Sequence, residues 1–186
     1  MEKRDKHPHN SCLRVVLYGP ESTGKTTLAK ALADHYQTTW VPEFARDFLQ
    51  DKWDRLQQQC TLDDLLPIAK GQIHAEENAQ AHANRFLFCD TNILVTKVWS
   101  ETHFNGYCAP EILELVNQRP YDFYLLTQTD VPWEKDDLRD RPHQREQMYA
   151  YFKDQLDHYK LPYVSLHGTP QERVKQATQA LDNLIS

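Results

Sequence analysis

Leu13-Arg14-Val15-Val16-Leu17-Tyr18-Gly19-Pro20-Glu21-Ser22-Thr23-Gly24-Lys25-Thr26-Thr27-Leu28-Ala29-Lys30-Ala31-Leu32-Ala33 is the stretch on which the fold turns. A β-branched apolar run ends at a glycine, and good helix formers begin eight residues later. Between them stands the full pattern G-x-x-x-x-G-K-[ST], in the strand, loop and helix order in which such a loop grips phosphate. Its glycines let backbone N–H groups turn inward onto phosphate oxygens, and the helix N-terminus adds partial positive charge. Lys25 is then placed to reach β- and γ-phosphates and the Thr26 hydroxyl to ligate Mg²⁺. Gly19, Glu21, Ser22, Thr23, Gly24, Lys25, Thr26 and Thr27 are the expected nucleotide contacts.

Working outward, short apolar runs recur at Leu13 to Tyr18, Thr39 to Val41, Arg85 to Cys89, Phe123 to Leu126 and Tyr163 to Leu166. Helical patterns fill the intervals at 25–36, 43–58, 62–83, 92–103, 110–118, 143–159 and 170–184. Strands that do not alternate polar with apolar are covered on both faces, and repeated crossovers give a parallel sheet. The expectation is an α/β, three-layer P-loop NTPase fold: five parallel strands flanked by helices. Asp63-Asp64, Pro110, Pro142 and Thr169-Pro170-Gln171-Glu172 read as helix starts, with Pro110 and Pro142 at first helical positions. The polar segment 51–62, centred on Gln57-Gln58-Gln59, reads as a flexible connection. Residues 1–11 read as a disordered tail and 12–186 as one P-loop kinase domain.

Length and composition fit that frame: 186 residues, 40% of them hydrophobic, suit a single domain of ordinary size. A net charge of −6 lacks the basic excess of a protein that holds nucleic acid through its phosphates. No apolar run approaches membrane-spanning length and the start Met-Glu-Lys-Arg-Asp-Lys is charged, so no membrane insertion and a cytoplasmic location are expected. Cys12, Cys60, Cys89 and Cys108 lack C-x-x-C spacing and read as reduced thiols. The nine histidines show no zinc-site spacing.

Three further segments carry chemistry. Phe86-Leu87-Phe88-Cys89-Asp90-Thr91 is an apolar strand ending in a carboxylate, where a P-loop protein holds Mg²⁺ largely through water. Asp130 to Arg145, dense in charge, follows a strand and fits a lid that delivers arginines to a transferring phosphoryl group; Arg139, Arg141 and Arg145 are its candidates. Since Pro142 disfavours helical geometry at Arg141, Arg139 falls on the lid and Arg145 in the first turn of the next helix. Trp40-Val41-Pro42-Glu43-Phe44-Ala45-Arg46 closes the second strand at the edge facing the phosphoryl acceptor, and the i, i+3 spacing puts Glu43 and Arg46 on one helical face. Trp40, Trp99, Tyr107 and Trp133 are large aromatics available to stack on a planar base.

The ordered set G-P-E-S-T-G-K-T-T-L, W-V-P-E-F-A-R, I-A-K-G-Q at 68–72, F-C-D-T, then D-V-P-W followed by D-D-L-R resembles the ribosylnicotinamide kinase domain of NadR-type proteins, over about residues 13–182. The resemblance implies a nucleoside-kinase-like fold with a lid and, with ATP and Mg²⁺, phosphorylation of the 5′-hydroxyl of nicotinamide riboside to nicotinamide mononucleotide, a salvage route to NAD. It implies catalytic roles for Lys25, Asp90, Arg139 and Arg145, metal contacts from Thr26 and Asp90, and acceptor contacts from Trp40, Glu43, Arg46, Asp90 and Asn92. Asp90 or Glu43 would take the hydroxyl proton, with Asp90 slightly favoured. Where the family often shows Asp-Thr-Asp this chain has Asp90-Thr91-Asn92, which loses a charge but keeps hydrogen-bonding capacity. Where the family shows Asp-Gly-Leu-Arg it has Asp136-Asp137-Leu138-Arg139, which stiffens the lid.

Three other readings compete. Thr127-Gln128-Thr129-Asp130 mimics the [NT]-[KQ]-x-D guanine-reading pattern of GTP switches, yet Asp90-Thr91-Asn92-Ile93 lacks the D-x-x-G glycine such a switch needs. An oligomeric ATP-driven motor wants an acidic pair at the strand end, and Thr91 occupies the second place. A kinase acting on another nucleoside or a nucleoside monophosphate stays within the same chemistry.

Overall fold

A computed structural model describes residues 12–139 and 141–186, so the expected tail 1–11 lies outside the described residues. Five strands form one sheet: β1 (Leu13–Tyr18), β2 (Trp40–Val41), β3 (Phe86–Asp90), β4 (Phe123–Thr127) and β5 (Tyr163–Leu166). Their spatial order is β2-β3-β1-β4-β5 and every pairing is parallel. The helices are α1 (Lys25–Tyr36), α2 (Phe44–Leu56), α3 (Leu62–Gln80), α4 (Ile93–His103), α5 (Pro110–Gln118), α6 (Arg145–His158) and α7 (Pro170–Leu184).

Alternation along each strand divides the core in two. Val16, Tyr18, Leu87, Cys89, Tyr124 and Leu126 face one way, onto Leu65 and Ala69 of α3, Ile93 and Val98 of α4, Ile112 of α5 and Phe152 and Leu156 of α6. Val15, Leu17, Phe86, Phe88, Phe123 and Leu125 face the other way, onto Leu28, Ala29 and Leu32 of α1 and Ala177 and Leu181 of α7. Strands sandwiched in this way are apolar on both faces, which is why β3 and β4 read as unbroken apolar runs. The three-layer expectation is met.

Register decides what meets at the carboxyl edge. Leu17 lies opposite Asp90 on β3 and Leu125 on β4, so the end of β1, from which the phosphate loop springs, is flanked by Asp90 and by Thr127. All of the expected helices are present, with two corrections. Pro142 is not the first residue of α6: the N–H of Gln144 bonds the Arg141 carbonyl at 3.2 Å, closing a turn over 141–144, and the helix starts at Arg145. The connection expected over 51–62 is shorter, because α2 runs on to Leu56, supported by the Arg55–Asp51 pair at 3.0 Å, and α3 starts at Leu62 behind a Thr61/Asp64 capping box. None of the four cysteines is in a disulfide. No helix among the described residues is long and apolar enough to cross a membrane.

Candidate active site

The phosphate loop is tied down from behind. Gly19 sits at φ +137°, and a Cβ there would lie 2.8 Å from the Thr127 hydroxyl and 2.9 Å from its carbonyl, so only glycine fits where the loop leaves β1. Thr23, fully buried, donates to the Pro20 carbonyl at 2.8 Å and shares a 2.7 Å hydrogen bond with the Thr127 hydroxyl. Gly24, at φ +79°, is the N-cap of α1. Lys25 extends back along the loop and donates to the Pro20 carbonyl at 2.6 Å. Burial pushes its ammonium below the ordinary lysine range, while Glu43, Asp90 and Glu21 act to hold it charged.

Asp90 is 1% exposed and turned toward the loop, not the cavity: its Oδ2 accepts the Thr26 hydroxyl at 2.5 Å. Its Oδ1, also buried, has no hydrogen-bond partner. Burial raises its carboxyl above the usual range, with Lys25 and the Thr26 hydroxyl pulling the other way. Thr91, next to it, holds φ +68°, a left-handed conformation that a β-branched residue rarely adopts, and lines the cavity.

A cavity of about 580 Å³ opens from the phosphate loop onto α2, α3, α4 and the segment 131–145. All eight expected nucleotide-loop residues line it, as do Glu43, Arg46, Arg139, Arg141 and Arg145. Its far wall is α2, none of whose residues is buried. This helix is held by its first residue: the Phe44 N–H donates to the Gln72 Oε1 at 2.9 Å, and the Phe44 ring lies where a Cβ on Gly71 would come within 2.2 Å. The helix start thereby sets Glu43 in the cavity wall, within the electrostatic reach of Lys25. Burial pushes Glu43 up, Lys25 pulls it down, and Asp90 pushes it up again.

The lid spans the two ends. On the nucleotide side the Glu134 N–H donates to the Ser22 hydroxyl at 2.8 Å, and Arg145 donates to the carbonyls of Ser22 at 3.0 Å and Val131 at 2.8 Å, its guanidinium over the Trp133 ring. Toward α2, Asp136 bridges Arg46 at 2.8 Å and the Arg139 Nε at 3.2 Å, and its other oxygen accepts the Leu138 and Arg139 N–H groups, both at 3.0 Å. Arg141 leaves the lid to donate to the Thr102 carbonyl at 2.7 Å.

Besides Asp90, two expected acceptor contacts fall outside the cavity. Trp40 faces the opposite side of the sheet, packed with the core under α1 and covered by Lys30 at 5.3 Å, because β2 offers alternate residues to alternate faces. Asn92 is 1% exposed and donates to the Tyr124 hydroxyl at 3.1 Å below the cavity floor; an amide suits that burial better than a carboxylate. Trp99 and Trp133 line the cavity, whereas Tyr107 does not. Thr127, Gln72, Asp136 and Arg173 are residues that sequence reasoning passed over. Asp136 and Gln72 carried a signal, since they stand in the D-D-L-R and I-A-K-G-Q segments, but what each holds was not legible; Thr127, Gln72 and Arg173 act through contacts 28 to 150 positions away along the chain. The Asp130 carboxylate of the guanine-like motif is engaged by the Gly168 N–H and by Arg173.

The profile of the AAA domain family matches residues 14–173, nearly the whole described chain. The chain belongs to this AAA domain family. Among curated proteins it is similar to the trifunctional NAD biosynthesis/regulator protein NadR of Salmonella typhimurium, 29% identical over 125 residues, which are 67% of this chain and 30% of that protein. The chain thus spans under a third of the curated relatives it matches. Solved structures of a NadR protein, in complex with NR and with NAD and AMP-PNP, superpose with TM-scores of 0.72 and 0.70 at 23% identity, covering 94% of this chain and 50% and 49% of theirs. A deoxyadenosine kinase from M. mycoides superposes at TM-score 0.67 and 9% identity, over 92% of this chain and 100% of that one. The fold is therefore the three-layer α/β P-loop fold that nucleoside kinases share, as expected from the sequence.

Proposed function

We propose that this chain is an ATP-dependent kinase that transfers the γ-phosphoryl group to the 5′-hydroxyl of nicotinamide riboside, yielding nicotinamide mononucleotide. The observation that carries the reading is that one cavity is lined by the phosphate loop, by Glu43 and Arg46 where α2 begins, and by Arg139 and Arg145. Phosphoryl transfer asks for that arrangement: an in-line acceptor oxygen, neutralised phosphates and excluded water. The similarity to NadR, together with the motif order, supports nicotinamide riboside as the acceptor among nucleosides.

In this reading the loop amides and Lys25 hold the triphosphate, and the lid arginines meet the charge that spreads over the equatorial oxygens in the transition state. Glu43 takes the hydroxyl proton, because it lines the cavity beside Lys25 whereas Asp90 is turned onto Thr26. This reverses the preference for Asp90 drawn from the sequence. Thr26 and Asp90 fit a Mg²⁺ site: a hydroxyl and a carboxylate 2.5 Å apart, with a second buried carboxylate oxygen lacking a partner, form a hard oxygen set completed by phosphate and water. Bound there, the ion would neutralise charge on the β- and γ-phosphates. Trp99, stacked on His103 at 3.8 Å, gives the acceptor end an aromatic face suited to a cationic ring.

The test is an acceptor screen with Mg²⁺ and ATP, following ADP release with nicotinamide riboside, uridine, cytidine, adenosine and nucleoside monophosphates. Acceleration by nicotinamide riboside above all others is expected; none at all sinks the proposal. Preferential acceleration by another nucleoside would instead assign the acceptor end to that substrate.

A further inference from the structure

Among the described residues Arg173 is the buried arginine, 3% exposed, in the second turn of α7. Its guanidinium is spent on the protein. Nε donates to the Gly168 carbonyl at 3.1 Å, one terminal nitrogen to the Thr23 carbonyl, and the other to the Gln128 carbonyl at 3.0 Å and to the Asp130 carboxylate. Asp130 in turn accepts the Gly168 N–H at 2.5 Å. One side chain thus ties three separate segments together at the carboxyl edge of the sheet: the phosphate loop, the end of β4 and the turn between β5 and α7.

A charge at this depth is costly unless it is paired and fully hydrogen-bonded. Asp130 supplies the pairing, so Arg173 and Asp130 together leave little net field at the nucleotide site. What remains is geometry. The Thr23 carbonyl and the Gly24 N–H belong to one planar trans peptide and point in opposite directions. A carbonyl held outward by Arg173 therefore aims the Gly24 N–H inward, where the loop pattern calls for phosphate contacts.

We propose that Arg173 is a positioning residue of the nucleotide site, fixing the Thr23–Gly24 peptide so that the phosphate cradle is formed before the nucleotide arrives. A preformed cradle avoids the ordering cost that a floppy glycine loop incurs on binding. The inference rests on the nucleotide-binding reading of the loop and not on the identity of the acceptor.

Arg173→Lys keeps the charge but loses the planar fork that reaches several acceptors at once. Asp130→Asn removes the charged partner and leaves the three carbonyl contacts in place. Each variant is titrated with ATP and, separately, with inorganic tripolyphosphate, both with Mg²⁺ and without acceptor, alongside its unliganded melting temperature. For Arg173→Lys both affinities are expected to fall by a similar factor of ~10, the scale of a lost charge-assisted hydrogen bond, with the melting temperature kept within a few degrees. For Asp130→Asn the expected common loss is ~3-fold. Equal losses for ATP and tripolyphosphate are the signature of a phosphate-cradle role. Loss of ATP affinity alone, or affinities within twofold of the parent for both ligands, overturns the proposal. Should Arg173→Lys fail to fold, Asp130→Asn decides by the same criterion. Because no acceptor is present, failure here is separate from failure of the nicotinamide riboside assignment.

Discussion

At the phosphate-loop end of the cavity the loop is rooted in the sheet: Gly19 packs against Thr127, Thr23 is fully buried, and Asp90 stands behind it at the end of β3 beside Leu17. At the acceptor end the wall is α2, a helix with no buried residue, held by the Phe44 contacts to Gly71 and Gln72, the Lys52–Asp64 pair at 2.5 Å and the Arg46–Asp136 bridge. A site rooted in the core is formed with the fold. A wall held by a few tethers can shift without unfolding anything, which would suit the admission of a substrate in the proposed reaction.

The contrast is broken most severely by Lys25→Ala. Turnover is expected to fall by at least ~10³-fold with the melting temperature nearly unchanged, since in the proposed reaction the lysine stabilises transferring charge rather than the core. A stability loss of several degrees would mean that the nucleotide end and the fold are not separable there. Glu43→Gln comes next, with a loss of ~10²-fold in kcat and nearly unchanged ATP affinity, as expected for a general base. A near-normal Glu43→Gln enzyme together with a crippled Asp90→Asn enzyme would return the base to Asp90. For the intact protein, burial raises Glu43 above its ordinary value of 4.5, set among Lys25, Asp90, Arg46 and Arg139. The base must be ionised, so log kcat should fall on the acid side with an apparent pKa above that value, and the acid limb should vanish in Glu43→Gln.

Asp136→Asn probes the tether between α2 and the lid. Arg46 and Asp136 are 39% and 28% exposed, so the pair adds little to stability, and the effect belongs in catalysis. A loss of roughly 10-fold in kcat/KM for the acceptor is expected, with a larger share of ATP lost to water. Unchanged coupling of ATP use to product would show that the bridge does not hold the lid.

The smallest effect concerns Glu76, 1% exposed, which accepts the Tyr121 hydroxyl at 2.8 Å and lies beside Gln72, the residue that holds the start of α2. Burial raises its carboxyl from 4.5 to about 7, against the pull of Tyr121 and Arg119. Since the folded value is the higher one, the stabilisation is complete below about 4.5 and is lost as pH rises through about 7. Glu76→Gln, neutral throughout, should therefore melt higher than the parent at pH ~8, by an amount equivalent to ~1–2 kcal/mol, and show little difference at pH ~5. A flat difference across that range would remove Glu76 from the account.

Much of the nucleotide end was legible in the sequence because it is local. The eight-residue loop, its strand and its helix are contiguous, and Asp90 announces itself as a carboxylate at the end of an apolar run. The face of α2 carrying Glu43 and Arg46 was also legible, from their i, i+3 spacing. Phe44 and Gly71 show what was not: their contact crosses two helices, and nothing in either segment tells what holds that face in place. Trp40 failed for a related reason: a two-residue strand gives no periodicity from which to tell its faces, so only pairing with Phe88 fixes the direction of its side chain. Pro142 misled because a proline marks the first helical residue only where the chain before it is free to enter, and Arg141 is engaged with Thr102.

By itself, then, the chain determined five parallel strands, a phosphate loop and an aspartate at the end of β3, since hydrophobic period and turn chemistry act over a few residues. Tertiary structure alone decided that Glu43 rather than Asp90 faces the cavity, that Trp40 is turned away from it, and that Arg173 closes on the back of the loop. Those outcomes depend on strand register and on hydrogen bonds between residues as far as 150 positions apart, which no local pattern encodes.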